Sequence, residues 1–180
     1  MNRFTFFDAL RIFGGILLLN CLCSYWFTSS TTWNYDGKYL NIKYFMNLFQ
    51  SRINLTMEEL SKYNGSNSKL PIYLAINGSV FDVSSSPEIY GPGKSYNKLT
   101  GKDCARIFVT GCFMKPDEYT YDLRGLDEKE VEADLPAWIE YFQQHRKYWY
   151  VGTVQHDDSS LPRYPPSPCE HLKFPGMNVH

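Results

Sequence analysis

The chain has 180 residues with 18 Lys+Arg against 19 Asp+Glu, and a formal net charge of −1 gives it no electrostatic footprint for a phosphate backbone. Nucleic acid is excluded as a partner on that ground. Hydrophobic residues make up 43% and aromatic residues 17%, enough apolar surface for one packed core and too much for a disordered chain. The 5 Cys are too few and too irregularly spaced for a disulfide scaffold, and no CxxC or Cys/His pair has the spacing of structural zinc.

Residues 1–11 form an N-terminal flank, and from Ile12 to Tyr35 there is no charged residue. This predicts a single transmembrane helix over 12–32, with Tyr25, Trp26 and Trp33 as interfacial aromatics at its far end. The alternative is a cleaved signal peptide, since Met1 to Arg11 resembles a basic leader and Thr28-Ser-Ser30 offers small residues for cleavage. Arg3, Arg11 and the amino terminus precede the span, while Lys38, offset by Asp36, follows it. The positive-inside rule then favours a cytosolic N-terminus and a lumenal body in the endoplasmic reticulum or secretory pathway. A lumenal body gives meaning to three glycosylation sequons at Asn54, Asn64 and Asn77. Each also reads as ordinary turn or cap chemistry. Asn54, in the most linker-like position, is expected to be used first, and Asn77, in a tight turn, least.

Residues 33–54 read as a juxtamembrane linker with an amphipathic helix, in which Leu40, Tyr44, Phe45, Leu48 and Phe49 recur at helical spacing. That stripe suits a membrane interface, a docking surface for another membrane protein, or packing on the domain that follows. Thr56 and Glu59 make a capping pattern for a short helix ending at Asn64-Gly65. Leu70–Ile76 and Ser79–Val83, joined by Asn77-Gly78, predict a β-hairpin. Asp103 to Thr110 is a second helix. Leu126 to Arg146 is a longer one with Val131, Leu135, Trp138 and Phe142 on one face, kinked or divided at Pro136. Tyr148 to Val154 is the last strand. The tail, 156–180, holds five of the ten prolines, at 162, 165, 166, 168 and 175, and is expected to be extended and to cling to a surface or stay mobile.

The runs Leu55–Gly65, Pro71–Val83, Tyr90-Gly-Pro-Gly-Lys-Ser-Tyr96, Gly101-Lys-Asp-Cys-Ala-Arg106 and Lys147-Tyr-Trp-Tyr-Val-Gly152 resemble, in order, those of the membrane-associated progesterone receptor family. The resemblance covers about residues 55–155 and implies an α+β fold, a cytochrome b5-like haem/steroid-binding domain behind an N-terminal single transmembrane helix. In the family such domains are linked to sterol metabolism, to support of haem-thiolate monooxygenases and to haem handling.

A bis-histidine haem is argued against by the residues themselves, because His145, His156, His171 and His180 all lie outside the stretch expected to build the pocket. Tyrosine is the available ligand, a hard phenolate suited to ferric iron. By similarity Tyr96 is the axial haem ligand and Tyr90 the tyrosine that stabilises it. Lys147 and Tyr148 match the far wall of the pocket, and Asp103 and Arg106 match polar positions on the helix after the ligand. The sequence departs from the family pattern at Gly93-Lys94-Ser95, where an acidic residue and a second glycine-proline turn are missing. Cys104 and Cys112 are open to pairing, to iron ligation or to plain burial, and Cys169 to a bridge with one of them.

No nucleophile-base pair or paired carboxylates are visible, so the chain does not read as an enzyme. The expected function is a membrane-anchored, non-catalytic haem-binding protein. A haem-free steroid or lipid-binding module and a structural subunit of a larger membrane protein complex, docked through the stripe and the tail, are the rivals.

Overall fold

The computed structural model describes residues 5–35 and 42–167, which fall in two units, 1–40 and 41–180. In the first, Thr5 caps helix α1, Phe6–Thr28, by accepting from the Asp8 backbone N–H while the Asp8 carboxylate accepts from Thr5 N at 2.9 Å. This capping box moves the helix start upstream of the uncharged stretch, so Asp8 and Arg11 lie inside it. At 1.5 Å per residue, α1 is roughly 35 Å long, enough to cross a hydrocarbon layer of about 30 Å. Its apolar side chains, Phe13, Leu18 and Trp26 among them, are exposed. Past the left-handed Ser29, the chain turns back on the helix. Ser24 Oγ donates to the Ser30 carbonyl, Trp33 N donates to Ser24 Oγ, and the Trp33 indole donates to Asn20 Oδ1 at 3.2 Å.

The second unit is built on a four-stranded sheet in the order β1-β4-β3-β2. The Asn77-Gly78 turn, with both residues at positive φ, joins β2, Tyr73–Ile76, to β3, Ser79–Asp82, as the sequence predicts. Strand β4, Trp149–Gln155, pairs antiparallel with β3 and parallel with β1, Ile53–Thr56. The sequence reading missed β1. It is four residues long and ends on Thr56, whose side chain already signals the cap of α3, Met57–Ser61. Where β1 and β4 meet, a Cβ on Gly152 would collide with the Ile53 backbone, so only glycine allows the two strands to close.

Alternation along the strands sends Leu74, Ile76 and Phe81 to one face of the sheet and Tyr73, Ala75 and Val80 to the other. The first face packs on α5, Ala105–Thr110, and α6, Glu128–Gln144; the second is closed by Leu60 of α3. Helix α6 presents the predicted face, with Leu135 and Phe142 buried, but it is not divided at Pro136. Pro136 and Glu132, whose carbonyl has no N–H partner at 136, are both exposed residues, and burial of the opposite face holds the helix together. The described part of the tail lies on its own domain. Arg106, Arg124 and Lys115 donate to the carbonyls of Pro166, Pro162 and Ser167. Residues 168–180, with Cys169, lie outside the described residues.

Candidate functional site

The connection from β3 into α4, Pro87–Tyr90, and the connection from α6 into β4 bring two tyrosines together at the sheet's packed face. Tyr90 and Tyr148 are 6% and 3% exposed, their rings edge to face with centroids 5.7 Å apart. Burial first, then a hydrogen bond with Tyr148, pushes the Tyr90 phenol far up, so it stays protonated as a donor at any physiological pH. Tyr96 is different. Its ring lies 6.3 Å from Tyr90 and 5.7 Å from Phe113, yet it is 41% exposed. One phenol is thus open to a ligand while its neighbour is locked in a hydrogen bond beneath it.

The loop that carries Tyr96 is held at both ends. Gly91 N donates to the Pro87 carbonyl, Lys94 N to Gly91 O, and Tyr96 N to Ile89 O at 3.2 Å. The Asn97 amide reaches both the Tyr90 carbonyl at 2.9 Å and the Asn64 carbonyl at 3.0 Å. A Cβ on Gly91 would strike the Pro87 carbonyl, which makes the first glycine of the motif a steric requirement. Gly93 takes φ +76° in the stretch that departs from the family pattern, and the loop closes there without a second glycine-proline turn.

Next to Tyr148 in the chain, Lys147 Nζ lies 3.7 Å from Glu88 Oε1 with both side chains exposed, so the pairing is a weak one. The sequence reading placed no histidine here, but His145 stacks on Tyr148 at 3.8 Å, and Phe142 stacks on Tyr148 as well, at 5.1 Å. The signal lay in the spacing of His145 and Tyr148 across the end of α6, which a motif comparison does not weigh.

Asp103 and Arg106 are not gathered with the tyrosines. Asp103, fully buried, accepts from the backbone N–H groups of Asn77, Gly78 and Ala105 and bonds His156 Nε2 at 2.8 Å. It holds the hairpin tip and the start of α5. Arg106, also buried, donates to the carbonyls of Asp122, Arg124 and Pro166 and pairs with Glu118 at 3.2 Å. Three of its guanidinium N–H bonds thus go to loop and tail carbonyls while Nε faces Glu118, and the polar positions matched on the helix after the ligand are taken up here in holding the hairpin, the loop and the tail.

The remaining candidates are also placed. Asn54 sits in strand β1, not a linker, its amide oxygen accepting from Thr153 Oγ1 at 3.2 Å. Asn64 and Asn77 are exposed turn residues. Cys104 is a buried free thiol and Cys112 is disulfide-bonded, so the two do not pair with each other.

Residues 56–155 match the family model described as cytochrome b5-like haem/steroid binding domain. Membrane steroid-binding protein 2 of Arabidopsis thaliana is 43% identical over 104 residues, covering 58% of this chain and 43% of that protein. Neuferricin of Danio rerio is 42% identical over 100 residues, covering 56% and 36%. A solved Arabidopsis thaliana protein, described as having a cytochrome b5 like fold, superposes with a TM-score of 0.50 at 38% identity, over 57% of this chain and 91% of that one. The fold is therefore that of cytochrome b5, and the chain belongs to the membrane-associated progesterone receptor branch of its haem/steroid-binding family. It spans less than half the length of the two curated relatives, and the matched region excludes α1 and the tail.

Proposed function

We propose that this protein is a membrane-anchored, non-catalytic binding protein that takes ferric haem at the tyrosine cluster, with Tyr96 as its axial ligand. The observation that carries this is the contrast between the exposed Tyr96 phenol and the buried, hydrogen-bonded Tyr90 and Tyr148 beside it. The donor set fits the group: phenols rather than a pair of histidines, an aromatic wall from Phe113 and Tyr148, and a displaceable lysine for a propionate. When bound, the haem would supply a ferric centre with a low reduction potential. Tyr96 would hold the iron, Tyr90 and Tyr148 would fix the surrounding hydrogen bonds, and Lys147 would exchange Glu88 for a carboxylate.

Ferric haem titrated into the detergent-solubilised full chain should give a tyrosinate-type visible spectrum. Tyr96→Phe should weaken binding by at least about tenfold, the factor carried by ~1.4 kcal/mol. Identical titrations of wild type and Tyr96→Phe overturn the assignment. A steroid in the same aromatic cluster is the second reading, supported by the relatives' names and by the apolar wall. It gains if a steroid raises the melting temperature of a chain that takes up no haem.

The body is assigned to the lumen of the secretory pathway. Support comes from the charge bias around α1, from the exposed sequons at Asn64 and Asn77, and from the disulfide at Cys112, which persists in an oxidising compartment. With Asn54 in a paired strand, Asn64 replaces it as the first site expected to carry a glycan.

A further inference from the structure

Helix α2, Ile42–Phe49, is fastened to the domain on one side only. Asn47 Nδ2 donates to the Tyr150 carbonyl at 3.1 Å, Arg52 donates to the same carbonyl and to Asn47, and the Arg52 guanidinium lies over the Tyr150 ring. These bonds orient the helix, and they fix what the other side presents. Ile42, Phe45, Met46 and Phe49 follow the i, i+3, i+4, i+7 pattern of a single face and are 71%, 49%, 66% and 88% exposed. Of the stripe the sequence suggests, Phe45, Leu48 and Phe49 are exposed and Tyr44 is half-buried, Leu40 lies outside the described residues, and Ile42 and Met46 widen the exposed face.

We infer that this face lies in the headgroup layer of the bilayer that α1 spans, an inference that rests on the membrane-anchored reading. Chain length argues for lipid as its cover. Trp33 is folded back on Asn20 and Phe27, so the chain leaves α1 at the helix's own C-terminal end. From Tyr35 to Ile42 there are 42 − 35 = 7 residue steps, a reach of at most about 25 Å. Helix α2 is therefore tethered within a short distance of the membrane surface. Charge argues the same way: residues 36–52 hold Lys38, Lys43 and Arg52 against the single acid Asp36. A basic segment with one aromatic and aliphatic face is the composition that binds anionic lipid surfaces. A membrane-seated α2 would also hold β4, and with it the tyrosine site, at a set orientation to the bilayer.

Residues 41–180 form their own unit with both packed clusters, and the similar solved protein is little more than this domain, so the piece folds without α1. That fragment should float with vesicles of phosphatidylcholine and phosphatidylserine. Phe45→Asp/Phe49→Asp should reduce flotation by more than about tenfold, since one buried aromatic is worth that factor. Circular dichroism checks that the variant is folded, with Phe45→Ser/Phe49→Ser as the milder pair. A fragment that stays in solution, or a folded variant that floats as well as wild type, overturns the inference. So does elution of the fragment as a dimer or with a bound protein that occupies α2 in place of lipid. Carbonate extraction of the full chain tests α1 separately, so a failed anchor and a failed α2 are told apart.

Discussion

His156 shows how a residue outside the binding motif can govern stability. Its ring lies flat on Tyr121 at 4.1 Å and its Nε2 meets the buried Asp103 carboxylate. The bond to Asp103, helped by the nearby charge of Asp158 and opposed by partial burial, holds its pKa above the usual 6.5. Folding therefore strengthens proton binding at this site, so its contribution is complete below about pH 6.5 and fades as pH rises through the raised folded value. Chemical denaturation of wild type from pH 6 to pH 9 should show this loss, and His156→Gln should flatten it. An unchanged pH dependence in the variant would remove His156 from that role. Tyr90 and Tyr96 could be singled out in the sequence because the run Tyr90–Tyr96 resembles the family's motif, and the fold brings their rings to 6.3 Å. The roles of Asp103 and Arg106 could not, because their partners are mostly backbone groups, which carry no residue signature.

At the scale of elements, the hairpin, α3, α6 and β4 were legible because each carries a local signal: an Asn-Gly turn, a capping box, a 3.6-residue apolar period, an alternating run. Strand β1 and the fastening of α2 to β4 through Asn47 were not, since both depend on what β4 offers from about a hundred residues away. Pro136 is the instructive case, since the helix is not divided there. A proline in mid-helix removes one hydrogen bond and crowds the carbonyl four residues back, yet α6 runs on through it because Leu135, Trp138 and Phe142 are committed to the core. Packing outweighs the local penalty without abolishing it. Pro136→Ala, at an exposed position, should raise stability by roughly 1 to 3 kcal/mol in thermal or denaturant unfolding. No gain would mean that the backbone already relaxes fully around the ring.

At the scale of the molecule, the cysteines report on which side of the membrane the body folds. Cys21 and Cys23 lie in α1 as free thiols, and burial pushes the Cys104 thiol up to about 12, leaving it inert toward alkylation. Cys112 is the described cysteine of the body that is disulfide-bonded, and the tail returning to Arg106, Arg124 and Lys115 lies over the same domain. In a reducing cytosol that bond would not persist; in the secretory lumen it would, together with a glycan on Asn64. A membrane-impermeant maleimide of high mass should therefore leave the folded, detergent-solubilised Cys21→Ser/Cys23→Ser chain, which lacks the two exposed thiols of α1, unshifted on a gel until a reductant is added. Endoglycosidase should increase its mobility in both cases. With a free thiol at Cys112, this double variant would be labelled without reductant and adding Cys112→Ser would remove one label. That result, together with a mobility that endoglycosidase does not change, would place the body and its tyrosine site on the cytosolic side.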